Sequence, residues 1–252
     1  MRYYREPKPR DVAIMHCEER RSIQRRAFIG GFAAVVGCSV PPVARVATAR
    51  VLPKTALGLP RAAPNRRFSV LYKGNRIGTH AVSYSSTTVE MLVQTEIHIE
   101  AKLAFFPAYA FSHRSAESWR AGRLMSLISE TVEQGELLRV EGMATPQGFS
   151  VQSKGGPFVA SATTLTSDDL WTPAMLEQAK VVDARRGDIV GVNARKVADE
   201  PLVIAGGRVQ ATRYEFMTPD YAGSIWYDQA NLWVHGEFER DGSKVQYQLD
   251  ET

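Results

Sequence analysis

The chain has 252 residues, with 31 Lys and Arg against 27 Asp and Glu, a net charge of +4 and a pI near 9.1. Nine of the basic and four of the acidic residues lie in Met1–Ala49, so the remainder carries about −1, which argues against a nucleic-acid partner for the folded part. Both cysteines, Cys17 and Cys38, fall in that same leader, which excludes a disulfide framework, a cysteine nucleophile or a thiolate metal site after Ala49.

In the leader, Arg25-Arg26-Ala27-Phe28-Ile29 opens an uncharged run whose apolar part extends from Ala27 to Val40. A basic stretch, an apolar stretch and small residues after it read as a secretory signal. The run is shorter than the roughly 20 residues of a membrane span, so the mature form is expected to carry no transmembrane segment. Arg25, Arg26 and Phe28 resemble the core of a twin-arginine export signal, with Gly30 where that pattern often has Lys. Such a signal is an address read by a receptor. The implied partner is the twin-arginine export machinery, and the implied location is periplasmic or secreted. Ala47-Thr48-Ala49 fits a signal-peptidase site. Val35-Val36-Gly37-Cys38 resembles a loose lipobox that would anchor the chain through a lipid on Cys38, the less favoured alternative. Either Met1 or Met15 can serve as the start. Residues 50–65 are a Pro- and Ala-rich linker, which leaves 66–252 as one β-rich domain, enough for a sizeable core.

Arg67–Tyr72 reads as a first strand, with a tight turn at Lys73-Gly74-Asn75-Arg76, where Gly-Asn can take positive φ. Ile77–Ser85 returns as its partner and Ser85–Thr88 turns into the dominant stretch, Val89–Leu103. There Val89, Met91, Val93, Thr95, Ile97, Ile99, Ala101 and Leu103 fall on one parity. Glu90, Gln94, Glu96, His98, Glu100 and Lys102 fall on the other. This period of two marks a strand with one buried and one wet face. A strand that long has to coil to keep its apolar side covered. Tyr109–Trp119, Leu124–Glu133, Leu137–Met143 and Phe149–Ser153 continue the meander. Lys154–Asp169 interrupts it, and Thr172–Gln178 reads as a short helix with Thr172 as N-cap and Pro173 first. Extended character returns at Val181–Val190, Glu200–Ile204, Val209–Met217, Ser224–Tyr227, Leu232–Glu239 and Lys244–Leu249. The expected fold is mainly β, a strongly curved antiparallel sheet or half-barrel with one short helix.

Chemistry is harder to find. Glu96, His98 and Glu100 share one face of the long strand, each about 6.5–7 Å from the next, an arrangement that suits either a solvated face or acid-base work. His80, His113 and His235 lie on other strands, where two of them could meet His98 across the sheet. Asp168-Asp169 precedes the helix, where acids favour its N-terminus. There is no glycine-rich phosphate loop, no metal-binding spacing and no nucleophile elbow, so no catalytic, cofactor-binding or metal residue is nominated. Aromatic residues run through the strands, and most must build the core. Trp119, Trp171, Phe216 and Trp226 are the candidates for the wall of an apolar cavity inside a curled sheet.

Trp171-Thr172-Pro173-Ala174-Met175-Leu176 and Val182-Asp183-Ala184-Arg185-Arg186-Gly187-Asp188-Ile189 resemble a bacterial family of exported proteins of unknown function. So do Arg213-Tyr214, Ile225-Trp226-Tyr227-Asp228, Leu232-Trp233-Val234, Asp241-Gly242-Ser243 and Tyr247-Gln248-Leu249. The likeness covers most of Arg67–Leu249. More distantly, the long-strand meander is similar to periplasmic half-barrels of the lipoprotein-carrier type, an analogy of fold that does not by itself carry function. The leading expectation is a non-enzymatic envelope protein holding an apolar or lipid-like ligand. One alternative is a hydrolase-type enzyme using the Glu96/His98/Glu100 face. Another is a structural envelope interaction protein with a packed core and no ligand.

Overall fold

A computed structural model describes residues 64–101, 109–204, 206–240 and 242–250. The export residues Arg25, Arg26 and Phe28, most of the linker, and Leu103 at the end of the long alternating run lie outside them. The strands in chain order are β1 Arg66–Tyr72, β2 Asn75–Ser86, β3 Met91–Ala101, β4 Tyr109–Arg120, β5 Arg123–Glu133, β6 Glu136–Thr145, β7 Gly148–Gln152 and β8 Phe158–Ala160. After them come β9 Lys180–Val182, β10 Ile189–Gly191, β11 Asn193–Ile204, β12 Gly207–Met217, β13 Ala222–Asp228, β14 Trp233–Arg240 and β15 Ser243–Leu249. Thirteen of them form one antiparallel sheet in the order β11-β12-β13-β14-β15-β1-β2-β3-β4-β5-β6-β7-β8. The first strand thus joins two meanders, pairing with β2 on one side and with the last strand, β15, on the other. The sheet is not closed: its edges are β8 and β11.

Tight turns set the register of the meander. Tyr72 pairs with Asn75, Arg120 with Arg123 and Glu133 with Glu136, leaving two-residue loops. Their residues, Lys73-Gly74, Ala121-Gly122 and Gln134-Gly135, all have positive φ. That geometry matches the right-handed twist of the flanking strands. The first turn therefore sits one residue earlier than Gly74-Asn75, and Asn75 already belongs to β2. The long strand is also shorter than its alternation suggested. Thr87 and Glu90 close a polar turn through Thr87 N–H to Glu90 O at 2.8 Å and Glu90 N–H to Thr87 Oγ1 at 3.1 Å. This leaves Val89 exposed and starts β3 at Met91. Within β3 the alternation holds: Met91, Val93 and Thr95 are buried, while Gln94, Glu96, His98 and Glu100 are exposed.

The expected helix is replaced by a plug. Segment 161–192, which connects the edges β8 and β11, contributes Leu165, Leu170, Trp171, Ala174, Met175, Leu176, Val181, Val182, Ala184 and Val192 to the main core. From the sheet the same core takes Phe68, Val82, Val93, Trp119, Leu127, Val140, Phe149, Phe216, Ile225, Tyr227 and Trp233, among others. Thr172–Gln178 is not an α-helix but a single 3-10 stretch, Pro173–Glu177, preceded by another at Asp169–Trp171. Thr172 does cap it, accepting from Ala174 N–H at 3.4 Å, and Pro173 stands first. The β9–β10 hairpin completes the plug. A short irregular insert serves where a helix does not because the sheet curls around it from several sides, and an irregular chain can bury apolar side chains in all of those directions.

Candidate functional site

The inner face of β4 departs from ordinary core composition. Phe111, His113, Ser115, Glu117 and Trp119 all point inward and are buried. The three polar ones find partners on the plug and on β5, though Glu117 through only one of its oxygens. His113 bonds Thr131 Oγ1 through Nδ1 at 2.7 Å and the Asp168 carboxylate through Nε2 at 2.8 Å. Ser115 donates to the same Asp168 oxygen, Oδ2, at 2.5 Å. Thr166 donates to Glu117 Oε1 at 2.6 Å. Asp169 accepts from Thr166 N–H at 2.7 Å and from Trp171 Nε1–H at 3.0 Å. Asp168 and Asp169 therefore do not act as helix caps: Asp168 makes no capping bond, and both carboxyls turn into the interior.

The acids of this network shift in opposite directions. Burial works to raise the Asp168 carboxyl, but the charge and hydrogen bond of His113, with the Ser115 hydroxyl, outweigh it and hold it below its ordinary value. Glu117 is raised well above the carboxylate range, first by burial and then by the neighbouring charges of Asp169 and Asp168. Asp169 is raised to about 7, again first by burial. Glu117 Oε2 has no donor in reach; its carboxyl faces that of Asp169, and two buried carboxyls in contact retain a proton between them.

A cavity of about 450 Å³ opens beside this network, where the ends of β1 to β4 and of β14 and β15 meet the plug. Ile77, Ile97, Ile99, Phe111, Trp233, Phe238, Val245 and Tyr247 make most of its wall apolar. Its polar side chains include His80, Ser167, Asp168, Arg185, Tyr221 and Ser243. His80 is buried among Phe68, Trp233 and Tyr247, with ring centroids 6.2, 5.0 and 5.7 Å away. Neither ring nitrogen has a hydrogen-bond partner. Burial pushes its pKa down to about 4, against the pull of Asp168, so at neutral pH the imidazole is uncharged. Arg185 is compensated by Asp183 at 3.1 Å and Asp220 at 2.7 Å. Arg186 joins the same Asp220 at 2.7 Å and Glu133 at 3.5 Å. These pairs tie the β9–β10 loop to β5 on one side and to the turn after β12 on the other.

The residues expected to form a site are placed elsewhere. Glu96, His98 and Glu100 stand on the outer face; His98 and Glu100 approach to 3.6 Å with their side chains 60% and 63% exposed. His80 and His113 lie on the opposite face, on the two strands that flank β3. His80 pairs with Ile97, and Ile97 with His113, so the inward row across three strands runs one residue away from His98. None of Trp119, Trp171, Phe216 or Trp226 lines the cavity. Trp119 and Trp171 pack edge to face at 5.8 Å in the main core, and Phe216 packs there against Tyr221 and Phe238. Trp226 belongs to a second small core with Ala211 and Val234, covered by Leu202 and Ile204 of the β11–β12 hairpin, and donates to Glu200 at 2.6 Å. Among the described residues no three His, Cys, Asp or Glu side chains converge as a metal site, and no helix is long and apolar enough to cross a membrane. Sequence reasoning notices His80, His113 and Asp168, and Arg185 within a family stretch, but no spacing joins them into a site.

Comparison with known proteins supports the fold and leaves activity open. No curated protein matches the chain. A crystal structure described as a beta-barrel-like protein of the domain of unknown function DUF1849, from Brucella abortus, superposes with a TM-score of 0.57 at 10% sequence identity. The match covers 76% of this chain and 97% of that one. At that identity the likeness is one of fold. The match that reaches the sequence itself runs over residues 68–250, from the first strand to just past the last. The chain belongs to the family described as Domain of unknown function (DUF6134).

Proposed function

We propose that this is an exported envelope protein that holds an apolar small molecule or lipid-like ligand inside its curled sheet. The cavity carries the reading: about 450 Å³, walled mostly by isoleucine and aromatic side chains with a few polar groups among them. That volume lies within the range of roughly 300–1,000 Å³ found for small-ligand pockets. Burial of apolar ligand surface, at about 25 cal/mol per Å², supplies retention without a reacting group. Protein purified from the periplasm and sprayed under native conditions is expected to carry a co-purifying mass. Delipidated protein is expected to bind a fluorescent acyl probe saturably. Neither mass nor saturation would leave a packed structural partner as the better account.

Export through the twin-arginine route is part of the same proposal, supported by Arg25-Arg26-Ala27-Phe28-Ile29 ahead of an uncharged run. Replacing both arginines, Arg25→Lys with Arg26→Lys, is expected to leave precursor in the cytoplasm on fractionation and immunoblotting. Undiminished export of the double variant defeats this route. The exported form is expected to begin at Arg50, and a mass beginning at an acylated Cys38 would favour the lipid anchor.

A further inference from the structure

We propose that β11 pairs edge to edge with β11 of a second copy, antiparallel about a two-fold axis between Val197 and Ala198, so that two chains close each other's open sheet edge. β11 is one of the two edges of the sheet and runs over 12 residues, against 3 in the other edge, β8. Among the described residues no strand takes up its outer side. An edge of that length presents unpaired N–H and C=O groups that a further strand can meet. The sequence of this edge fits itself. Arg195-Lys196-Val197-Ala198-Asp199-Glu200 is its own complement when reversed. Arg195 falls opposite Glu200, Lys196 opposite Asp199 and Val197 opposite Ala198, and the two-fold axis repeats each pair.

Charge alone does not set a register, because partners across a sheet must also share a face. On a regular strand, residues an odd number apart face opposite ways, which would forbid both charge pairs. Here a bulge intervenes. Lys196 pairs with Tyr214 of β12 and Ala198 with Arg213, leaving Val197 as the extra residue. Arg195 and Glu200 therefore lie opposite Glu215 and Ala211 and share one face, while Lys196 and Asp199 lie opposite Tyr214 and Thr212 and share the other. A slip of two residues either way sets Lys196 against Val197 or Pro201 and loses the charge pairs. A parallel in-register pairing sets each charge against its own kind. Pro201 has no N–H to give and ends the run. The charged side chains are within reach of a second copy. Lys196 and Asp199 are 54% and 56% exposed and meet each other within the chain at 3.0 Å. An exposed pair of that kind holds little energy and can be exchanged for one across the axis. Glu200 accepts from Trp226 through Oε1, and its Oε2 has no partner among the described residues.

The test is sedimentation velocity of the purified protein over a range of concentrations. So small a contact implies a weak dimer, populated at about 100 μM protein and fading in about 0.5 M salt, which screens exposed charges. Lys196→Glu sets a like charge against Asp199 of the second copy, and Asp199→Lys does the same against Lys196. Each alone is expected to raise the dissociation constant by about tenfold or more. Mixing the two variants makes every charge pair across the axis complementary again, and the mixture is expected to dimerise as the wild type does. Neither variant regains its internal Lys196–Asp199 pair on mixing, so recovery isolates the contact between copies. A wild-type protein that stays monomeric up to about 200 μM overturns the proposal. So does a dimer indifferent to both substitutions, or a mixture that stays dissociated.

Discussion

Trp171→Ala is expected to destabilise the folded domain by about 4 kcal/mol, the usual cost of deleting a buried large aromatic side chain. Trp171 is 1% exposed and sits at the centre of the plug. It packs edge to face on Trp119 at 5.8 Å from the sheet and on Tyr84 at 5.8 Å from β2. Its indole N–H also satisfies Asp169. The substitution therefore opens a cavity and strips a donor from a buried carboxyl at once. Nearby, Tyr227 donates to the carbonyl of Leu170 at 2.9 Å, so the plug is held by polar as well as apolar contacts and has little room to collapse. With a urea m-value near 2 kcal/mol/M, the unfolding midpoint is expected to fall by about 2 M. Trp171→Phe keeps most of the packing and loses only the donor, so it should cost about 1–3 kcal/mol. A shift below about 0.5 M for the alanine variant would mean that the plug is not part of the cooperative core.

How much of this was legible differs strand by strand. β3 declared itself because its buried and exposed residues differ in polarity at almost every step. β4 did not. Its inward residues are Phe111, His113, Ser115, Glu117 and Trp119, and its outward ones include Ala110 and Ala116, so only the two aromatics reveal the parity. On β5 polarity runs against burial: Ile128 is 61% exposed while Ser129 and Thr131 are 3% and 1% exposed. Polar residues can face inward on β4 and β5 because Asp168 and Thr166 of the plug meet His113, Ser115 and Glu117, and the Ala184 carbonyl meets Ser129. These partners lie 49 to 55 residues away along the chain. Local pattern carries no trace of such pairings. The Ser/Thr-rich stretch around Asp168-Asp169 looked like a surface loop because its partners were on strands read as ordinary sheet. The same long-range matching hid the cavity, which is walled by strand ends brought together only when β15 pairs with β1.

The stability of this interior is expected to depend on pH with a sign that identifies its buried groups. Glu117 and Asp169 have folded pKa values above those of free carboxyls, which are about 3.9 for Asp and 4.3 for Glu; Asp169 reaches about 7 and Glu117 is raised well above the carboxylate range by burial and the neighbouring acids. Above pH 4 the unfolded chain releases protons that the folded one retains, so stability falls as pH rises through the window from about 4 to 7 and beyond. His80 acts in the other direction. Its folded pKa of about 4 lies below the ordinary 6.5, so stability falls as pH drops from about 6.5 towards 4. With two raised carboxyls set against one depressed imidazole, the wild-type protein is expected to lose stability from pH 5 to 8. Above about pH 6.5 the His80 contribution is flat, and the slope that remains belongs to the two raised carboxyls. One proton there corresponds to about 1.4 kcal/mol per pH unit. Glu117→Gln can still accept from Thr166 and can donate its amide N–H to Asp169, so it should abolish most of that fall. His80→Phe should instead steepen the decline from pH 5 to 7 by removing the acid-side loss. Urea midpoints at pH 5, 6, 7 and 8 for the three proteins decide the matter. A wild-type protein with no fall in stability from pH 5 to 8, or a Glu117→Gln protein that keeps the full decline, would show that the carboxyl pair does not hold its proton in the folded state.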